Sequence, residues 1–216
     1  MTPITFWFDP ISPYAHLAFE HLPQALAGHS VVVDYKPVLF GALLKHHAHK
    51  GPAEIEPKRQ WTFRQVAWLG HTLGIRIDLP AQHPFNPLPL SRLMLAAAGP
   101  SSLPNRRIVE QVLHHVWHGG ADPVDPQRLG ELEAAIGLPA GADPQGPAVR
   151  DRLRTLTQEA IDRGVFGVPT LECRGRLFWG LDALPMLRAM LEGDPWFDEQ
   201  WVSAARPVPG VVRSRE

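Results

Sequence analysis

The β character of this chain is confined to its two ends, and that separation decides most of what it can fold into. Ile4 to Phe8 is a short apolar and aromatic run broken by Asp9-Pro10-Ile11, and His29 to Lys36 is a second β-rich run closed by Pro37. Between them Tyr14 to Leu26 reads as helix, with Pro23 expected to kink or fray its last turn. Strand, helix and strand within about 35 residues make a βαβ unit, so the two strands are expected to be parallel with a right-handed crossover. β signal returns only near the other end, in the segment Val165 to Cys173 and in Arg176 to Trp179 across an Arg174-Gly175 turn. Each half is too small for a separate sheet. The expected fold is therefore α/β, a single four-stranded sheet with a large all-helical insertion.

The middle of the chain supplies that insertion. Leu39 to His49 has helical spacing and stops at Gly51-Pro52. Trp61 to Leu73 is predicted as helix, with Trp61, Phe63, Val66, Ala67 and Leu69 as its apolar positions and Gly74 at its end. Four prolines make 78–90 an irregular loop, and such a loop inside a compact chain is more often functional than idle. Helices are predicted over 91–98, 105–119, 125–136 and 149–163, then a strand-to-helix corner at Gly180-Leu181-Asp182 leads into helix 183–191. The expected division is 1–40 with 148–195 as the sheet domain, 41–147 as the insertion, and 196–216 as a surface-docked tail.

Composition excludes several classes. With a net charge of −1 there is no electrostatic case for nucleic acid or a membrane surface. No window approaches the ~20 apolar residues of a membrane span, and the N-terminus enters a strand with no signal-peptide pattern. The single Cys173 leaves no intrachain disulfide and no dithiol cycle, and it favours a cytoplasmic localisation. The histidines, including the i, i+4 pair His114/His118, come with no acidic third ligand at a familiar spacing, so no metal is expected.

The chemistry is expected at Ser12. It stands where a helix N-cap belongs, with Pro13 at the first helical position. A strand, a tight turn and a serine at the positive end of a helix form an anion site, and a thiolate suits that field as well as a phosphate does. A plain helix cap explains Ser12 equally at this level.

Three motifs carry a resemblance that goes further. They are Phe8-Asp9-Pro10-Ile11-Ser12-Pro13-Tyr14, Gly164-Val165-Phe166-Gly167-Val168-Pro169-Thr170 and Phe178-Trp179-Gly180-Leu181-Asp182, with weaker echoes at Pro57-Lys58 before Trp61 and at Pro84-Phe85-Asn86. Together they resemble the 2-hydroxychromene-2-carboxylate isomerases, in the kappa-class glutathione transferase branch of the DsbA-like thioredoxin fold. In that family serine replaces the first cysteine of the redox relatives, and the proline of the second motif is cis. Three positions depart from the family pattern. Leu181 stands where glutamine is common, Gln65 where aspartate is common, and the His49-Lys50-Gly51-Pro52 segment lacks an asparagine.

The resemblance implies glutathione as cofactor. Ser12 would activate its thiolate, the backbone of Val168 before Pro169 would pair with its cysteinyl part, and Leu181 and Asp182 would hold its γ-glutamyl end. An ordinary N-cap is the other reading of Asp182. A small aromatic carboxylate substrate would sit among Tyr14, Lys58, Trp61 and Asn86. The implied reaction is a cis-trans isomerisation giving trans-o-hydroxybenzylidenepyruvate. A kappa-like glutathione transferase and a non-catalytic thioredoxin-fold binding protein are the alternatives. Relatives of this fold are often dimers, so a homodimer is left open.

Overall fold

A computed structural model describes residues 1–206. Its centre is β1, Thr2–Phe8, which pairs in parallel with β2, Val31–Pro37, with Ile4 opposite Val33 and Phe6 opposite Tyr35. On its other side β1 pairs antiparallel with β3, Thr170–Cys173, and β3 pairs antiparallel with β4, Arg176–Trp179, giving the order β2-β1-β3-β4. The two ends of the chain thus build one mixed sheet. Alternation along β1 divides its side chains between two cores. Ile4, Phe6 and Phe8 enter the main core, while Trp7 turns to the opposite face against Val38, Leu43, Ala160 and Val165.

The crossover from β1 to β2 is α1, Pro13–Ala25, capped by Ser12. This helix runs through Pro23 instead of fraying there. Pro23 cannot donate to the Phe19 carbonyl one turn back. The Arg106 guanidinium donates to that carbonyl instead, at 3.2 Å, and lies over the Phe19 ring.

Between β2 and β3 the chain forms α2 (Phe40–His46), α3 (Glu56–Leu73), α4 (Leu88–Ala98), α5 (Arg106–Trp117), α6 (Pro126–Ile136) and α7 (Pro147–Asp162). α3 starts five residues before the predicted Trp61, because Pro57 occupies the first turn, where a proline costs nothing. Its inward face is also not the predicted one. Val66 and Gly70 are buried, whereas Trp61 and Trp68 point outward with 62% and 63% exposure. The main core is continuous across this region, joining Phe6 and Leu17 to Met94, Val112 and Leu113.

After β4 a 3-10 turn, Leu181–Ala183, leads into α8, Leu184–Glu192. A second 3-10 turn at Pro195–Phe197 and the short α9, Glu199–Ala204, follow, with Phe197 buried against Phe178 and Trp201. Residues 207–216 of the expected tail lie outside the described residues. No helix among the described residues is long and apolar enough to cross a membrane.

Gly70 sets how closely α3 lies on the segment that follows it. A Cβ there meets Ile77 Cγ2 at 2.7 Å and the Ile75 carbonyl oxygen at 2.9 Å. Gly→Ala in a helix gains about 1 kcal/mol in propensity, but overpacking costs about 1–3 kcal/mol and a backbone oxygen cannot rotate away. Gly70→Ala is therefore expected to lower the denaturant midpoint, by up to ~2 kcal/mol net, and an unchanged or raised midpoint contradicts this packing.

Candidate functional site

The C-terminal end of β1 carries the site. Ser12 is nearly buried, and its own N–H donates to the Asp9 carbonyl at 3.0 Å, closing the turn after the strand. Its Oγ accepts from the Ala15 N–H at 3.2 Å, capping α1, and donates to the Val168 carbonyl at 3.2 Å. The cap and the bridge therefore coexist in one hydroxyl. The Val168–Pro169 peptide is cis. The Pro169 carbonyl accepts from the Gly180 N–H at 2.9 Å, which ties this loop to the corner after β4.

A cavity of about 790 Å³ opens beside Ser12. Its floor is Asp9, Ile11, Ser12 and Val168. Phe40, Phe63 and Phe85 give apolar wall, and Lys50, Lys58 and Arg59 stand at one side. Arg59 pairs with Glu56, whereas Lys50 and Lys58 make no ion pair among the described residues. Phe166 and Trp179 also line the cavity and pack with their rings tilted, centroids 4.9 Å apart, each about half exposed. Gly167 lets them meet, since a Cβ there falls 2.6 Å from the Trp179 indole nitrogen.

The expected site residues divide into two groups. Ser12, Tyr14, Lys58 and Val168 all line the cavity. Tyr14 donates to Gln65 Oε1 at 2.7 Å, and its phenol pKa is raised, mainly by burial and further by the Asp182 charge. Asp182 is thus close to the Tyr14 side although it is exposed at the 3-10 turn. The Leu181 side chain is buried in the main core, leaving only its backbone for a ligand. Within that turn the first N–H groups have no intrahelical acceptor.

Trp61 and Asn86 are brought to neither wall. Lys58, Arg59, Thr62 and Phe63 are the cavity residues of α3, and Trp61 lies roughly 130° around the helix from their mean direction. Asn86 is exposed and its Oδ1 accepts from the Leu88 N–H at 3.1 Å, so the side chain is spent on starting α4. Its neighbours Phe85 and Pro87 reach the cavity instead.

Two cavity residues outside the expected site set carry chemistry. Asp9, in the turn after β1 and in the first motif, is fully buried. Its Oδ1 accepts from the Ile11 N–H at 3.0 Å and its Oδ2 from the Phe40 N–H at 2.9 Å. Burial outweighs those two donors, and its pKa is pushed up to about 7. His83, inside the proline loop, meets the Ile11 carbonyl through Nε2 at 2.9 Å. A carbonyl only accepts, so Nε2 carries the proton and Nδ1 is a bare, unpartnered lone pair. Burial lowers the His83 pKa, which keeps the ring neutral. The signal for Asp9 was its place within the first motif; for His83 there was none beyond the loop.

The model of the DSBA-like thioredoxin domain matches residues 3–192. A 2-hydroxychromene-2-carboxylate isomerase from Sphingobium xenophagum is 28% identical over 193 residues, covering 87% of this chain and 97% of its own. Human glutathione S-transferase kappa 1 is 23% identical over 230 residues, covering 98% and 96%. A solved structure of 2-hydroxychromene-2-carboxylate isomerase superposes with a TM-score of 0.75 at 21% identity, over 94% of this chain and all of the other.

The buried Asp9 makes a pH-dependent prediction. Its folded pKa of about 7 lies above the ordinary 3.8, so the folded state holds this proton more tightly than the unfolded state. Its contribution is fully present below pH ~4 and is lost as pH rises through about 7, with a slope of up to ~1.4 kcal/mol per unit. Asp9→Asn is expected to flatten the decline of urea-unfolding free energy between pH 5 and 8. An identical slope in the two proteins overturns the assignment.

Proposed function

The chain belongs to the DSBA-like thioredoxin domain family, and from that premise we propose a glutathione-dependent isomerase of a small aromatic carboxylate. The specific reading is conversion of 2-hydroxychromene-2-carboxylate to trans-o-hydroxybenzylidenepyruvate, with Ser12 activating the glutathione sulfur. The single observation that carries it is the Ser12 hydroxyl donating to the Val168 carbonyl at the floor of the cavity. The similarity to relatives named as isomerases and kappa-class transferases supports the choice of cofactor.

The residues present fit glutathione. Leu181 and Asp182 offer backbone N–H groups at the start of the 3-10 turn, which suit a carboxylate, and the Asp182 carboxylate suits the neighbouring ammonium. Val168, just before Pro169, offers backbone to an extended peptide in the manner of an added strand. When bound, glutathione supplies a thiol nucleophile whose reversible addition removes double-bond character from the substrate and permits rotation.

Ser12 has a defined energetic task. Lowering a thiol pKa of ~8.5 by ~2 units requires about 2.7 kcal/mol. The N-terminus of α1 contributes ~0.3–2 kcal/mol, and a hydroxyl donating to the thiolate adds about 1.5–3 kcal/mol. Together they suffice, and neither alone is comfortable. The Ser12 hydroxyl, which donates to the Val168 carbonyl, would hold a bound thiolate by donating to it instead, a charged acceptor in place of a neutral one. Lys50 and Lys58 meet the substrate carboxylate, and the phenylalanine walls take its flat ring.

The test is loss of 2-hydroxychromene-2-carboxylate absorbance with catalytic glutathione. Activity without glutathione consumption supports the proposal, whereas stoichiometric consumption points to a transferase and no turnover points to a binding protein. Ser12→Ala is expected to cut kcat about 10–100-fold, from the lost hydrogen bond to a charged group. The same change removes a helix cap and costs only ~1 kcal/mol of stability. Full activity in that variant ends the activator role.

A further inference from the structure

Away from the cavity, the described residues bring two carboxylates and an imidazole together between α1 and α5. Glu20 comes from α1, and Glu110 and His114 come from one face of α5, four residues apart. One ligand atom from each lies within 4.8 Å of the others, and His114 Nε2 is 2.9 Å from Glu20 Oε1. All three side chains are half-buried. From these positions we propose that Glu20, Glu110 and His114 form a binding site for a first-row divalent cation of the Zn²⁺ type.

Charge gives the first reason. Two carboxylates held this close repel, and His114 offers at most one positive charge, only when protonated. A divalent cation compensates both carboxylates and takes the imidazole as a neutral ligand. The donor set of two oxygens and one nitrogen suits Zn²⁺, with water completing the coordination. Closing oxygen and nitrogen onto a metal at about 2.0–2.2 Å needs side-chain rotations of roughly 1 Å, which half-buried residues permit.

The ring arrangement gives a second reason. His118, one turn beyond, stacks on His114 at 4.1 Å and restrains its ring plane. His16 is fully buried, packs edge-on at 6.0 Å from His114 and 5.3 Å from His118, and donates through Nε2 to the Arg76 carbonyl at 2.9 Å. Its Nδ1 has no partner among the described residues. The local spacing of His114 and His118 hid the site, because one acid stands a turn before His114 and the other on a different helix.

The test is titration of full-length, chelator-treated protein with Zn²⁺ alone, followed by calorimetry and thermal unfolding, with Co²⁺ absorbance as a ligand-field check. The expected result is one Zn²⁺ per chain, a raised Tm, and binding weakened about tenfold or more in both Glu20→Gln and His114→Gln. Circular dichroism of the variants checks that they fold, and Glu110→Gln serves if either does not. No binding in the wild-type protein overturns the proposal. So does binding that persists unchanged in the variants, because the chain carries 11 histidines able to hold zinc loosely elsewhere.

Discussion

The candidate site exists because β1 and β3 run antiparallel. Trp7 is opposite Thr170, so the C-terminal end of β1 lies beside the N-terminal start of β3. Each strand extended by one loop brings Ser12 and Val168 into hydrogen-bond contact across 156 residues of sequence. That bond is neutral and worth about 1 kcal/mol. It is strong enough to hold the hydroxyl in place and weak enough for a charged acceptor to replace it. The sheet, with its larger burial, fixes the geometry.

The turn between β1 and α1 is then clamped from several sides. Asp9 bonds the N–H groups of Ile11 and Phe40, His83 donates to Ile11, and the Trp117 indole donates to the Pro10 carbonyl at 3.0 Å. Three of those partners, Phe40, His83 and Trp117, belong to the segment between β2 and β3. The helical middle of the chain is therefore structural support for the serine, and it also closes the cavity over it. A reacting group must be held within a fraction of an ångström by a rigid surround, which is what these bonds supply.

Which features could be read from sequence follows from how local their causes are. The four strands, the parallel first pair, the hairpin and the Ser12 cap depend on neighbouring residues, and the structure has them. The α3 start depended on a proline read as part of a motif instead of as a first-turn residue. Trp61 faces outward because α3 turns its small and branched residues, Gly70 and Val66, inward and leaves indoles at the surface, a facing that apolar character alone does not give. Asn86 is exposed, and its Oδ1 is engaged by the Leu88 N–H at the start of α4. Asp9 shows the deeper limit. Its unusual protonation comes from total burial and from Phe40, which lies 31 residues away, and no local pattern reveals either.

α1 links the two ends of the molecule's polar chemistry. Ser12, His16 and Glu20 recur every four residues, so all three lie along one side of the helix, with Glu20 roughly 12 Å from the serine. α5 meets α1 through His114 at Glu20, and the turn before α1 through Trp117 at Pro10. The spacing of these two helices thus enters both the glutamate–histidine cluster and the loop that carries Ser12. A ligand at one end changes the other only by the difference in its affinity for two α1–α5 spacings. The fully buried core between them, with Val109, Val112 and Leu113 on α5 and Leu17 and Ala18 on α1, resists such a change.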